Sequence, residues 1–199
     1  MKWRKSRMKE IRTNLVTEAV FSDEQAKRYL LRKEWDSSKP KLAIIMLAPS
    51  EASGIELDST TLLVLNNASR LEYGSVTVLN LFATLDDFTL KQAEETDSEN
   101  LDIIVQEAEK VDTIIYAPGV GKAKNKVFQK RQRQVVKILR QFEEKLYCLC
   151  DQDGNARLQH PLSPAVRTWY ISSLKVNELI PVDTDEKQEG KKALRRKEK

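Results

Sequence analysis

Four short apolar runs divide the chain: "LAIIML" (Leu42 to Leu47), "VTVLNL" (Val76 to Leu81), "TIIYA" (Thr113 to Ala117) and "LYCLC" (Leu146 to Cys150). Each is too short for a buried helix and carries β-branched or aromatic residues, so each is expected to be a strand buried on both faces. Between them the apolar positions recur at helical spacing. "DSTTLLVLNNASRLE" opens on an Asp/Ser N-cap candidate and ends near Gly74, and "NLDIIVQEAEK" sets Leu101, Ile104, Val105 and Ala108 on one face. Lys124 to Glu144 repeats the pattern with Val127, Phe128, Val135, Ile138, Leu139 and Phe142, and a fourth helix is expected around Pro164 to Leu174. Strands alternating with helices of this length imply crossover connections and a parallel sheet covered on both faces. The expected fold is therefore α/β: a three-layer α/β/α sandwich around a central four-stranded parallel sheet. Ahead of it, "KRYLLRKEWD" alternates enough for an extra edge strand or hairpin arm.

With 199 residues, 40% hydrophobic and 32% charged, the chain can build one sizeable core. Residues 1–26 read as a basic N-terminal segment, 27–180 as a single α/β domain, and 181–199 as a charged tail expected to be mobile or loosely helical. No apolar stretch reaches the roughly 18 to 20 residues of a membrane span, and "MKWRKSRMKEIR" lacks the apolar part of a secretory signal. A cytoplasmic protein with no membrane partner is expected. Cys148 and Cys150 are the only cysteines, which suits reduced structural thiols better than a disulfide framework or a four-ligand metal site. Nothing in the sequence calls for a metal or a diffusible cofactor.

Charge changes the picture through its distribution. The formal net charge is only +4, yet Lys and Arg gather at "KWRKSRMK", at "KAKNKVFQKRQRQ" (Lys122 to Gln134) and at "KKALRRKEK" (Lys191 to Lys199). Any one cluster alone reads as a solvated face or tail; three together suggest a polyanion surface.

In a parallel sheet the ligand sits beyond the carboxyl ends of the strands, on the loops that follow them. Here those loops are "APSEASGIELD", "FATLDD" after Asn80, "PGVGKAK", and "DQDGNARLQHPLSP". The only histidine of the chain, His160, thus falls on the expected functional edge, within "HPLSPAV".

The motifs "IIMLAPSEAS", "DSTT", "YGSVTVLNLFA", "YAPGVG" and "LYCLCDQDGNARLQHPLS", with Arg28-Tyr29 ahead of them, resemble the family of unknown function DUF1643 over about residues 27 to 175. Their order in turn resembles the uracil-DNA glycosylase superfamily: a proline loop after the first strand, an apolar strand ending in Asn, and a late His-Pro loop. "HPLSP" is similar to the glycosylases' "HPSP" loop, and "VLNLF" to the strand whose terminal Asn reads the uracil edge.

That resemblance implies roles. His160 would donate a hydrogen bond to the departing base, Asn80 would pair with its edge, Phe82 would stack on the flipped ring, and Ala48 and Pro49 would line the base pocket. Leu162 and Ser163 would fill the gap left in the duplex. Ser50, Gly119, Gly121, Lys122 and Lys124 would approach the DNA backbone, the glycines leaving room for phosphates. N-glycosidic cleavage passes through an oxocarbenium-like state that needs a nearby carboxylate. Many glycosylases carry it just before the loop proline, where this chain has Ala48. One branch with "LAP", as in Leu47-Ala48-Pro49, uses an Asp further along; Asp58 is the counterpart here, with Glu51 in reserve. That branch also holds an iron-sulfur cluster on four cysteines, which this chain cannot build.

Each position also has a simpler reading. Asp58 can be the N-cap of the helix starting at "STT", His160 can brace the sheet, Asn80 can satisfy neighbouring backbone groups, and Phe82 can be core. The expected function is recognition and excision of uracil, or a similar base, from DNA, uracil-containing or single-stranded. A non-catalytic nucleic-acid or nucleotide-binding protein on the same fold stands as the alternative, and a protein-interaction factor as a third.

Overall fold

The computed structural model describes residues 10–50, 54–85 and 97–179. Along the chain these form β1 (Val16–Phe21), β2 (Arg28–Glu34), β3 (Lys41–Met46), α1 (Ser59–Arg70), β4 (Ser75–Asn80), α2 (Ser98–Lys110), β5 (Thr113–Tyr116), α3 (Lys126–Leu139), β6 (Leu146–Cys150), β7 (Tyr170–Ser173) and α4 (Val176–Leu179). One mixed sheet of seven strands takes the order β1-β2-β4-β3-β5-β6-β7.

The four apolar runs are β3 to β6. They run parallel, with β3 between β4 and β5, and β6 beyond β5. The expectation of a four-stranded, all-parallel sheet needs correcting, because three further strands joined by antiparallel pairing flank them. β1 and β2 form a hairpin whose second arm pairs with β4, so "RYLLRKE" lies inside the sheet and not at its edge. β1 falls within the segment read as a basic N-terminal arm; its mixed sequence "VTEAVF" is exposed or half-buried along its length, which hid it. The helix expected around Pro164 to Leu174 is also corrected. Pro164–Val166 make one 3-10 turn, and "YISS" then pairs antiparallel with β6, from Tyr170 opposite Cys150 to Ser173 opposite Tyr147. Pairing there satisfies backbone groups of β6 that would otherwise face outward unpaired.

Alternation along the strands builds two cores. Ala43, Ile45, Leu79 and Ile114 face α2 and α3, packing with Ile104, Ala108, Phe128 and Val135. Leu42, Ile44, Val76 and Val78 face α1, packing with Val64, Ala68 and the buried Trp169. Helices thus cover both faces. α1 also ties down the chain around Trp169: Asn67 Oδ1 accepts from the Trp169 amide at 3.0 Å, and Arg70 Nη2 donates to the Trp169 carbonyl at 2.6 Å. Cys148 and Cys150 are free and buried. No helix among the described residues is long and apolar enough to cross a membrane. The basic runs at Lys2 to Lys9 and Lys191 to Lys199, and the charged tail, lie outside the described residues.

Several charged side chains are taken into this frame, Glu107 among them. Glu107 of α2 is 4% exposed and receives Lys110 at 2.8 Å and the Arg32 guanidinium of β2. Burial pushes its carboxyl pKa up, but the hydrogen bonds from Lys110 and Arg32 outweigh that and hold it below the ordinary range. Glu107→Gln should therefore cost roughly 2 kcal/mol at neutral pH, less than a fully buried pair because both cations reach solvent. Since the folded-state pKa is depressed, this contribution exists above the unfolded value and is lost as the pH falls through the folded one. Urea unfolding of parent and variant should show a stability gap that closes in acid; a gap independent of pH would contradict the assignment.

Candidate functional site

Because β3, β4, β5 and β6 are parallel, the loops after Met46, Asn80, Tyr116 and Cys150 leave the same edge of the sheet. Three of these loops enclose an open cleft of about 520 Å³. Leu47 and Ala48 come from the first, Pro118 to Lys122 from the third, and Gln159, His160, Leu162 and Ser163 from the last. Two apolar side chains stand exposed at its rim, Leu162 at 43% and Val120 at 53%.

His160 is fixed by its own loop. Its Nδ1 accepts the backbone N–H of Leu162 at 3.2 Å, while the Ser163 amide donates to its carbonyl at 2.8 Å. An imidazole that accepts at Nδ1 carries its proton at Nε2 when neutral, and so presents a donor there. Burial lowers the His160 pKa, only partly opposed by the Asp58 carboxylate, and this favours the neutral ring. Two backbone features hold the loop in place. Leu158 adopts φ 58°, a left-handed conformation uncommon for a non-glycine residue, with its side chain against the α2–α3 core. Gly119 has φ 83°, and a Cβ there would stand 3.1 Å from the His160 Cβ. "PGVG" therefore needs its first glycine to let the His160 loop close against it.

Asp58 is the N-cap of α1: its Oδ1 accepts from the Thr61 amide at 2.6 Å. Burial raises its pKa, but hydrogen bonds from the Ser50 hydroxyl and from Thr61, with the charge of Arg28, bring it below its ordinary value. The group is a carboxylate at neutral pH, close enough to act on the His160 ring through space. Arg28, 1% exposed at the start of β2, completes this side by donating from Nη1 to the Ser50 carbonyl at 3.0 Å. Sequence reading named Arg28 only as part of a motif; as a buried cation tethering the "APS" loop beside Asp58, it has a structural role there.

Of the residues singled out from sequence, Ala48, Gly119, Gly121, Lys122, His160, Leu162 and Ser163 come together around the cleft. Pro49 and Ser50 continue the first loop, half-buried, and Lys124 is exposed on the turn that leads into α3. Asn80 and Phe82 do not line the cleft. Phe82 is 2% exposed, its ring within the α2–α3 core. Asn80 is 1% exposed at the end of β4, and its Nδ2 has no hydrogen-bond partner among the described residues. Glu51 lies outside the described residues.

Two side chains invisible as functional candidates in the sequence hold the β4 end. Asn100 of α2 donates from Nδ2 to the carbonyls of Asn80 at 3.0 Å and Leu81 at 3.2 Å. Arg131 of α3, 1% exposed, donates from Nε to Leu81 at 2.6 Å and from Nη2 to the Asp97 carbonyl at 3.3 Å. Nothing in the local pattern distinguishes Arg131 from its solvated neighbours in "QKRQRQ"; its place on the apolar side of the helical repeat was the available signal.

The molecule is thus an α/β protein with an open cleft at the carboxyl edge of a mixed sheet, and a neutral histidine and a carboxylate near each other on that edge. The chain matches the family described as a protein of unknown function, DUF1643, over residues 28–162, and it belongs to that family. A search of curated proteins returns no match. The matched span runs from the first residue of β2 into the His160 loop and takes in every residue lining the cleft except Ser163.

A single imidazole makes its state directly readable. Proton and nitrogen NMR of His160 should show one titration with a midpoint below that of an unstructured histidine peptide, and the Nε2–H tautomer in the neutral form. Asp58→Asn removes the opposing charge that the described residues supply and should move the midpoint further down. A midpoint at or above the peptide value, or an Nδ1–H tautomer, would contradict this geometry.

Proposed function

We propose that this protein recognises a base in DNA, uracil or a similar modified base, and excises it by hydrolysing the N-glycosidic bond, in the manner of the uracil-DNA glycosylases its loops resemble. The observation that carries the reading is the His160 side chain: a neutral imidazole, its tautomer set by the Leu162 amide, on the wall of a cleft at the carboxyl edge of the sheet.

The chemistry follows from those groups. As the bond between C1′ and the base nitrogen breaks, its electron pair moves onto the base and positive charge builds on the sugar. A donor aimed at a base oxygen stabilises the leaving anion without giving up its proton; the Nε2–H of His160 is suited to that. A carboxylate near the sugar opposes the developing positive charge, and Asp58 is ionised for it. Water then adds to C1′, its oxygen forming the new bond, and the proton it sheds ends on the released base. The base must leave the helical stack to be reached, and the exposed Leu162 beside His160 is an apolar side chain that can occupy the vacated space. Phe82 is given no stacking role in this proposal, because its ring is buried. Asn80 keeps a role only through its unpartnered amide nitrogen.

A second reading has its own support. Asp58 is engaged as a helix cap, and Ala48 stands where many glycosylases carry the acid. Both suit a protein that binds a nucleic acid or nucleotide in this cleft without cleaving it.

A labelled uracil-containing oligonucleotide, single-stranded or paired with G or A, tests the two readings. Release of the base should leave alkali-sensitive sites. His160→Ala should slow release by about 10²- to 10³-fold, as loss of one donor to a developing anion does elsewhere. Asp58→Asn keeps the capping oxygen but not the charge, and it should slow release without unfolding α1. Binding without release at any protein excess, with folding confirmed by circular dichroism, would overturn excision and favour the binding protein.

A further inference from the structure

Helix α3 carries its exposed charge on a single line. Lys126, Lys130, Arg133, Lys137 and, just past its end, Arg140 are all exposed. Their spacings of four, three, four and three residues confine them to an arc of about 80° on a helix turning 100° per residue. The opposite arc is apolar: Phe128, Val135, Val136 and Leu139 are buried there, and Arg131 is drawn inward to the Leu81 and Asp97 carbonyls. From Lys122 to Phe142 the sequence contains no Asp or Glu. A chain with a formal net charge of only +4 therefore concentrates one sign along one helix. At 1.5 Å per residue the row runs for about 20 Å. Its upper end is continuous with the cleft, since Lys122 lines the cleft and exposed Lys124 lies between the two.

We infer that the outer face of α3 is a phosphate track, along which one nucleic-acid strand runs away from the His160 cleft. The inference rests on the proposed function in choosing nucleic acid among polyanions; the row itself does not depend on catalysis. Successive cations are about 4.5 to 6 Å apart along the axis, from 1.5 Å per residue, and phosphates of one strand recur every 3.4 Å or so along a duplex axis. Five cations over that length can neutralise several phosphates of the same strand. The contact would be to the backbone and blind to sequence, and any selectivity would be left to the cleft.

The test uses the full chain and oligonucleotides without modified bases, so that base release plays no part. Fluorescence anisotropy of a labelled oligothymidylate, and of an unmodified duplex, is followed from about 50 to 200 mM salt. Each neutralised phosphate contributes about 0.7 to the slope of log affinity against log salt for a single strand, or 0.9 for a duplex. The triple variant Lys126→Gln, Lys130→Gln, Lys137→Gln should lower that slope by about 2 for the single strand and weaken binding about 100-fold near 0.1 M salt. A control, Lys39→Gln, Lys41→Gln, Lys110→Gln, removes the same charge from the opposite edge of the sheet and should bind like the parent. Circular dichroism confirms that both variants are folded. Equal losses in the two triple variants would overturn the track in favour of a net-charge effect. Unchanged binding in the α3 variant would overturn it outright, as would parent binding to polyglutamate or to anionic phospholipid vesicles as tight as to the oligonucleotide. If the salt slope behaves as expected and no base is released, the track stands and the excision proposal fails alone.

Discussion

The carbonyls of Asn80 and Leu81 end a parallel strand inside the protein, where the neighbouring strands no longer offer enough donors and water cannot reach. A buried carbonyl left unmet would cost on the order of 1 to 3 kcal/mol. Asn100 and Arg131 meet them, one from α2 and one from α3. The same Arg131 reaches the carbonyl of Asp97, whose side chain caps α2 through the Asn100 amide. Two helices, a cap and a strand end are therefore fixed to each other by polar groups that admit one arrangement, where an apolar contact would have tolerated several. That arrangement determines which side of α3 faces inward, and so which side shows its lysines to solvent.

From this follows the division of labour across the sheet edge. The apolar interior decides that β3 to β6 run parallel and end together. The polar pins decide where those ends point. The loops are then free to differ in character: "APS" is tethered by buried Arg28, "PGVG" yields space by lacking a side chain, and the histidine loop folds on itself through the Leu162 amide. The cleft is what remains between them. Its electrostatics arise from the same economy, since Asp58 caps a helix and acts on His160 with one carboxylate.

The sequence made the centre of the fold legible and left its margins obscure, for physical reasons. "LAIIML" and "VTVLNL" could be read as strands because burial on both faces demands an unbroken apolar run. β1 and β7 escaped because a flanking strand needs little apolar character: "VTEAVF" and "YISS" are held by backbone pairing, to which any residue contributes equally. In the candidate site the loop-borne histidine, glycines and proline were legible, since strand order alone assigns their edge. Asn100 and the role of Arg28 were not, because a buried polar residue with a partner looks the same in sequence as a solvated one; Arg131 showed only in its place on the apolar side of the helical repeat. Phe82 shows the converse: its type allowed stacking on a base, and only packing places it in the core.

The central claim is that the Nε2–H of His160 meets the base of a DNA ligand in the cleft, and the nitrogen-edited NMR signal of that one imidazole tests it most directly. It would be followed while a single-stranded oligonucleotide carrying one deoxyuridine, fluorinated at C2′ so that its glycosidic bond resists cleavage, is added to saturation. On this account the Nε2–H resonance shifts downfield and its exchange with water slows once the base occupies the cleft, while the same oligonucleotide bearing an abasic site leaves it nearly unmoved. A resonance that stays in place and exchanges freely while anisotropy shows the deoxyuridine oligonucleotide fully bound would contradict it.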